Sequence, residues 1–516
     1  MKYICGLRRL DIDVEKRAIA VRYKFMQSDA RFGADMQRTC DICGESEATL
    51  FDRVVENNQS VEYAYCEACY KRALKAGKNP HEEAQKRLAR RGKECKFCGC
   101  DVEEFQKTFL FGCAHCYEQM RGIAVDSALK AQHISREDLH GAIPLVHVHG
   151  TCDLDGSLFE SRKSDCESTQ YLKSANECSI GELIENNVIS SRIRLARNIK
   201  GLEFPSHIKV TDQRCVDLIN SAYFASQGLF NARLLPMSRL TKEQKKALIE
   251  RHIISLNLAN NDKNGAVIVE GDKKYGISIM VNEEDHIREQ CVVDGFNLAG
   301  AFERLHRYDV NLIKSVSIAY DEHLGFLTAC PTNLGTGMRA SVMLFLPALK
   351  RAGAIEDALK TFKTEFGLTI RGVFGEGSEA AYDMYQVSNS RTLGVSEESI
   401  IGQVEQAAVR MCYCERVALE RLVKDKQTEL LDGISRSYAV LKSAYALTSK
   451  ELMKLLVDVK LGVILGILPI KNTQKLDEMI WSCTSSSLSI ITGGNSDEER
   501  DKMRAQIVRK ILAEDK

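Results

Sequence analysis

The chain has 516 residues, 44% of them hydrophobic and 28% charged, which suits several soluble globular domains rather than one. Its 71 Lys plus Arg balance 71 Asp plus Glu, so no global field points to direct nucleic-acid binding or to a membrane surface. The longest apolar run, Leu461 to Ile470, is too short to span a bilayer. The charged N-terminus (Arg8, Arg9, Asp11, Asp13) lacks the apolar core of a signal peptide, so a cytoplasmic location is expected.

Residues 1–39 form a charged lead-in with no chemistry of their own. Cysteine pairs follow. Cys40 and Cys43 are answered by Cys66 and Cys69, and Cys95 and Cys98 by Cys113 and Cys116. A Cys-x-x-Cys turn grips one side of a tetrahedral zinc and a second knuckle closes it, so two structural four-cysteine sites are expected over 40–123. Four thiolates leave no open position for catalysis, and the bound metal supplies folding energy to segments with little apolar core. Cys100 and His115 sit beside or inside the second pair of knuckles and could substitute as ligands. Val61 to Tyr65 alternates like a hairpin strand, and Glu82 to Lys93 reads as a basic helix with a solvated face. Residues 124–180 are polar without a sustained period and read as a linker; His147 and His149 within it read as surface.

From Ser190 to about residue 417, apolar strand runs alternate with amphipathic helices: Gly265–Val269, Ile277–Val281, Gly325–Cys330 and Leu368–Phe374. Short turns between several of them suit an antiparallel sheet flanked by helices, an α+β layout. After Ser396, a candidate N-cap, Val404, Ala408, Met411 and Ala418 fall near one face of a long helix, and the remainder to 516 reads as helical. One stretch stands out: Glu283, Glu284, Asp285, His286, Arg288 and Glu289 directly follow the Ile277–Val281 strand. Acids at a strand end can hold a cation and manage its protons. No Gly-x-x-x-x-Gly-Lys-Ser/Thr loop or dinucleotide fingerprint is present. Arg192, Arg194, Arg288, Arg339 and Arg371 instead occupy short polar strand-to-turn contexts, where guanidinium forks can bind polyphosphate oxygens.

Four of these segments carry a family resemblance. They are Ser190-Ser-Arg-Ile-Arg-Leu-Ala-Arg-Asn198, Asn282-Glu-Glu-Asp-His-Ile-Arg288, Cys330-Pro-Thr-Asn-Leu-Gly-Thr-Gly337 and Arg371-Gly-Val-Phe-Gly-Glu-Gly377. From about 181 to 516 the chain closely resembles the ATP:guanidino phosphotransferases, and among them the bacterial protein arginine kinases. Residues 40–123 are similar to the zinc-binding activators of those kinases, so the chain looks like a fusion of activator and kinase. The resemblance implies a guanidino kinase, glutamine-synthetase-like α+β catalytic domain at 181–417. A helical C-terminal domain would follow at 418–516.

The resemblance also implies roles. Glu284 and Glu376 would hold the acceptor guanidinium, one of them as base, with Cys330 beside it. Ser190, Ser191, Arg192, Ile193, Arg194, His252, Arg288, Arg339, Ala340, Ser341, Val342, Met343, Arg371, Gly372, Val373, Phe374 and Gly375 match the nucleotide site. ATP, Mg2+ and Zn2+ would be the cofactors. Arg500, Asp501, Arg504 and Ala505 match a motif that implies a second pocket sensing phosphoarginine. Protein substrates with exposed arginines, a heat-shock repressor, a Clp chaperone-protease and a homodimer are the implied partners. The chemistry agrees: a guanidinium has a pKa of about 12.5–13.8, so deprotonating it near pH 7 asks about 7–9 kcal/mol of the site. Paired carboxylates meet that demand by fixing the planar fork and accepting the proton. Only a short helix-like run, Ser179 to Asn187, stands between linker and first strand, and an open acceptor site suits an arginine on a protein. A kinase for a small guanidino metabolite and a silent zinc adaptor are the competing readings.

Overall fold

The computed structural model describes residues 40, 42, 46, 48–56, 59–80, 82–84, 94–134, 179–208, 212–271, 275–372, 381–471, 473–493 and 496–514. Among the sequence expectations, residues 1–39, Cys43, most of the basic segment after Glu82, His147, His149 and Glu376 lie outside these. The chain divides into two compact units, Met1–Arg91 and Gly92–Lys516.

The first unit contains a hairpin, β1 (Leu50–Glu56) against β2 (Gln59–Tyr65), running directly into the helix Glu67–Lys75. The expected strand Val61–Tyr65 is therefore the second arm of this hairpin. Tyr65 packs on Tyr70 with ring centroids 5.5 Å apart, and Cys40, Cys66 and Cys69 are buried beside them.

The second unit is built on an eight-stranded antiparallel sheet in the order β11-β12-β10-β3-β7-β6-β5-β4. Its strands are β3 (Val188–Arg197), β4 (Ala232–Pro236), β5 (Ala266–Glu270), β6 (Gly276–Val281), β7 (Ile287–Asp294), β10 (Met338–Phe345), β11 (Leu368–Gly372) and β12 (Met384–Asn389). Between β7 and β10 lies only a two-residue pair, β8 (Tyr320–Asp321) with β9 (Gly325–Phe326). The strand expected over Gly325–Cys330 is thus confined to its first two residues. The rest turns away, because Ala329 N–H bonds the Asp285 carboxylate and Phe111 N–H takes the Ala329 carbonyl instead of a neighbouring strand.

Alternation along each strand sorts side chains between two faces. Ile193 and Leu195 of β3, Ile287 and Cys291 of β7, and Met338, Ala340, Val342 and Leu344 of β10 are all buried in one core. Onto that face pack the helices Gln213–Ala225 and Leu298–Ser315 and the first part of Glu397–Ser443, through Leu218, Ala301, Leu305, Ile400, Val404, Ala408 and Met411. Each fully buried leucine or isoleucine there contributes ~1.5–3 kcal/mol. Arg192 and Arg194 of β3 take the opposite parity and leave this core.

Ser396 caps the long helix by accepting from Ser399 N–H, as the sequence suggests. The expected domain boundary at 417/418 falls inside this helix; its break is at Lys426 (φ −134°, ψ 36°). Apolar periodicity continues through 417 because Ala418, Leu419, Leu422 and Val423 still bury in the main core. The C-terminal helices Ser449–Ile464, Thr473–Ser482, Ser485–Thr492 and Asp497–Glu514 follow. Ser179 caps the short helix Ile180–Asn187 with a reciprocal Glu182 capping box just before β3.

The largest departure from the sequence reading is at residues 94–134. Helix Arg121–Gln132 occupies the start of the segment read as linker. It has no amphipathic stripe because one of its buried positions is polar: Ala124, Ala128, Leu129 and Gln132 all face inward. Phe105, Phe111, Tyr117 and Met120 of the second cysteine module share a core with Phe204, Leu324, Leu327, Ala329, Leu334 and Leu393 of the sheet domain. This module lies in the same compact unit as the sheet, whereas Cys40, Cys66 and Cys69 lie in the other. Among the described residues, no helix is long and apolar enough to cross a membrane.

Lys460 and Asp477, both buried, join two C-terminal helices through Nζ–O distances of 2.7 and 2.8 Å. Asp477→Ala leaves an uncompensated buried ammonium and is expected to cost about 3–5 kcal/mol. A urea-denaturation midpoint shift in this variant, with Lys460→Met/Asp477→Leu recovering most of it, checks the assignment.

Candidate active site

The site lies on the sheet face that the core helices leave uncovered. Register brings its cations together. Arg194 of β3 stands opposite Arg339 of β10 on one side and Gln290 of β7 on the other, and Arg192 opposite Ser341. Arg288 and Arg371 have the same facing parity on β7 and β11. Burial, and then the neighbouring Arg339 and Arg288, push the Arg192 guanidinium down to about 10. Arg194 is depressed further by burial and by Arg192, Arg288, Arg339 and Arg371 around it. Its Nε is buried with no hydrogen-bond partner. Arg288 meets a carboxylate directly, at 2.7 Å from Glu283. Crowding and desolvation of these guanidinium groups favour an anion among them. The arrangement fits a polyphosphate.

Beside them is a cavity of about 150 Å³ lined by Ser190, Arg192, His252, Ser341, Met343 and Trp481, among others. His252 packs edge-on against Trp481 (5.3 Å) and sits at φ +55°. Burial, with Arg192 and Arg194 behind it, drives its pKa to about 4, so the ring is neutral at pH 7. Its Nε2 has no partner. Ile193, Ala340 and Val342 point into the core and contribute only backbone here, whereas Ser191 ties β3 to the turn after β7 by accepting from Asn297 N–H and donating to Gly295 O. Gly372 ends β11, and Val373, Phe374 and Gly375 lie outside the described residues.

The acidic stretch is the β6–β7 turn. Asn282 takes φ +58°, and its side chain donates to Asn264 O, which pins the turn. The three acids then diverge in role. Glu283 accepts from Ser255 Oγ, Glu284 N–H and Arg288; although burial raises it, Arg288 and these donors hold its carboxyl below the ordinary range. Glu284 makes no such pairing, and burial, then Asp285, pushes it up to about 7. Asp285 is fully buried and accepts from Asn198 Nδ2 (2.6 Å) and Ala329 N–H (2.7 Å). It therefore anchors the segment leading to Cys330. His286 extends the same brace, with Nδ1 accepting from Ile199 N–H and Nε2 donating to Glu203 O.

Cys330 follows, half-buried, its Sγ 3.0 Å from Thr332 Oγ1. Burial raises its thiol pKa, and Glu284 and Asp285 add to the shift. The next turn needs glycine: a Cβ on Gly335 (φ +113°) would lie 2.2 Å from Thr392 O. The Cys330 loop is also held from the cysteine module. Gln132 donates to Pro331 O (2.9 Å) and Leu334 O (3.2 Å) and accepts from Thr392 N–H (2.7 Å) and Leu393 N–H (2.8 Å). Tyr117 donates to Thr328 O at 2.7 Å.

Sequence reading missed Asp285, His286, Asn198, Gln132 and Tyr117 as supports of this loop. Asp285 and His286 lie inside a recognised motif, but nothing local tells a bracing carboxylate from a catalytic one. Gln132 carried no signal, since its partners are about two hundred or more positions away.

The metal groups can be tested by geometry. Cys95, Cys98, Cys113 and Cys116 converge, with Sγ separations of 3.6 Å (95–113), 3.5 Å (98–116) and 3.9 Å (113–116). Zinc–thiolate bonds of about 2.3 Å in a tetrahedron require ~3.8 Å. The four fit zinc. Cys40, Cys66 and Cys69 converge likewise in the first unit, with Cys43 outside the described residues. His115 pairs with Glu118 rather than joining the thiols. In the C-terminal motif Arg504 is buried, donating to Cys483 O and Leu447 O and pairing with Asp501, while Ala505 is core. Arg500 reaches Ser489 and Asp497.

Such a fold and site define a nucleotide-dependent phosphotransferase. Residues 214–418 match the ATP:guanido phosphotransferase C-terminal catalytic domain, residues 427–516 the protein-arginine kinase McsB C-terminal domain, and residues 93–140 the McsA central zinc-finger domain. A protein-arginine kinase of Caldanaerobacter subterraneus subsp. tengcongensis is 39% identical over 325 residues, 62% of this chain and 95% of that protein. Those of Clostridium kluyveri and Geobacillus sp. (strain WCH70) are each 40% identical, over 329 and 331 residues, covering 94% and 90% of their own lengths and 63% of this chain. The chain belongs to the protein-arginine kinase family of ATP:guanido phosphotransferases, with a zinc-finger domain of the McsA type in the same polypeptide.

Two outcomes follow from the geometry. Because folded Glu284 titrates near 7 instead of 4.5, the native state holds a proton that the unfolded chain has lost between those values. Stability is expected to fall as pH rises through that window, and Glu284→Gln to flatten the slope in denaturation midpoints taken at several pH values. Gln132→Leu should loosen the Cys330 loop and lower kcat about tenfold or more with KM for ATP little changed, since small misplacements at reacting groups cost up to ~10²-fold.

Proposed function

We propose that this chain is an ATP-dependent protein arginine kinase that transfers the γ-phosphoryl group to arginine side chains of proteins, with its zinc-finger domain built in as an activator. One juxtaposition carries the reading: a wall of desolvated guanidinium groups stands next to Glu284, a carboxyl with no committed partner, and the Cys330 loop.

In this mechanism Arg192, Arg194, Arg288, Arg339 and Arg371 bind the ATP phosphates and stabilise charge on the transferring group. Neutral His252 and the cavity beside it, with Ser190, Ser341 and Met343, take the rest of the nucleotide. Mg2+ would accompany ATP and supply charge neutralisation at the phosphates; among the described residues Glu283 is already committed to Arg288 and Ser255. The acceptor guanidinium docks on Glu284 and Glu376, near Cys330. A terminal guanidino nitrogen attacks the γ-phosphorus, the bond to the β–γ bridging oxygen breaks, ADP leaves, and the nitrogen's proton passes to a carboxylate. A Glu284 lifted to about 7 is poised to receive that proton near neutral pH. Phosphoarginine, with an acid-labile P–N bond, is the product.

Among the described residues only the short capped helix Ile180–Asn187 leads into β3, which supports a protein-borne acceptor. The relatives' name, protein-arginine kinase, supports it too. We assign a zinc region from 40, a catalytic domain from about 181 to the helix break near Lys426, and a helical C-terminal domain. Phosphoarginine sensing is assigned to the motif Arg500, Asp501, Arg504 and Ala505, within which Arg504 donates to two carbonyls. A cytoplasmic homodimer acting on a heat-shock repressor and feeding a Clp chaperone-protease completes the proposal.

Incubation with ATP, Mg2+ and an Arg-rich unfolded protein is expected to give acid-labile phosphate on that protein. Glu284→Ala and Glu376→Ala should each lower the rate by ~10²–10⁴-fold. ADP formation with free arginine and none with protein would overturn the substrate assignment in favour of a small guanidino metabolite.

A further inference from the structure

Cys100 does not join the four thiols beside it. Its Sγ gathers instead with a carboxylate oxygen of Glu104 and a ring nitrogen of His207, all within 4.8 Å of one another. Two of these residues come from the cysteine module, at the start of helix Val102–Thr108. The third comes from the sheet domain, between β3 and the helix Gln213–Ala225. The cluster spans the joint between the two.

Three features make it more than a chance meeting. First, the spacing is that of coordination: His207 Nε2 lies 3.2 Å from Glu104 Oε1. Zinc at about 2.0–2.1 Å from a nitrogen and an oxygen in a tetrahedron holds them ~3.3 Å apart. Second, the ring is oriented for it. Nδ1 is bonded to Ser206 Oγ at 2.9 Å, whereas Nε2 is turned to the Glu104 carboxylate and the Cys100 thiol. A metal-ligating histidine characteristically commits its other nitrogen in this way, turning the free lone pair to the ion. Third, the approach is permitted by a missing side chain. A Cβ on Gly112 would lie 2.9 Å from the His207 ring and 2.7 Å from Cys98 Sγ, while Gly112 O accepts from Phe204 N–H at 2.8 Å.

We propose that Cys100, Glu104 and His207 form a further zinc(II) site, separate from the four-cysteine sites, with its fourth position open to water on the exposed Glu104 side. One thiolate, one imidazole and one carboxylate are all ordinary zinc ligands. Bound there, the ion is a staple between the cysteine module and the sheet domain, the two bodies whose shared core supports the Cys330 loop. Cys100 also neighbours Cys116, so the two ions of this module would sit side by side.

The test is zinc content of the full chain, loaded with Zn(II), dialysed free of excess and measured by elemental analysis. His207→Ala and His207→Gln are each expected to hold one equivalent fewer than the parent, Cys100→Ser likewise, and the His207→Ala/Cys100→Ser pair also one fewer in total. His207 lies outside the cysteine module, so its variants leave the four-thiol site intact. Zinc content unchanged in both His207 variants would overturn the proposal, as would loss of two equivalents in the pair where each single loses one. If Cys100 merely replaced a thiol of the four-cysteine site, the His207 variants would match the parent.

Discussion

The organising constraint is the placement of β3 between β7 and β10, with side chains alternating between the two faces from Ser190 to Leu195. One parity, Ile193 and Leu195, builds the core; the other, Arg192 and Arg194, loads the opposite face with charge. Arg339 is carried into register with Arg194, so like charges sit across a strand pair, an arrangement that destabilises a sheet unless something anionic is bound. Hydrophobic burial on one side thus sustains an electrostatically unfavourable wall on the other. That imbalance is what suits this face to an anionic ligand.

The carboxylates next to it show how one turn produces three different acids. Glu283, Glu284 and Asp285 are consecutive, yet Glu283 is spent on Arg288, Asp285 on the backbone before Cys330, and only Glu284 is left poised near 7. The difference comes from partners. Left-handed Asn282 sets the turn so that successive side chains point to three neighbours.

The Cys330 loop is where the zinc-finger domain meets the chemistry. Phe111 N–H, Tyr117 and Gln132 all bond to the chain between Thr328 and Leu334, and an aromatic core lies beneath them. Zinc organises the module, the module positions Gln132, and Gln132 spans two loops of the sheet domain.

Much of the site was legible from the chain alone because it is written in local motifs. Cys-x-x-Cys spacing sets a tetrahedron whatever surrounds it, alternating runs define strands, and the Arg and Glu signatures lie at strand ends. The hairpin arm at Val61–Tyr65, the Ser179 and Ser396 caps and the long helix followed from the same short-range rules. What only tertiary structure decided depends on partners distant in sequence. Helix Arg121–Gln132 was hidden in a polar segment because its buried face includes Gln132, whose partners lie beyond Thr328. The run Gly325–Cys330 has strand-like composition but is captured by Asp285 and Phe111 instead of a sheet neighbour. Which of three adjacent acids stays poised, and where Cys100 finds Glu104 and His207, are likewise set by packing, since a residue type carries its chemistry but not its neighbours.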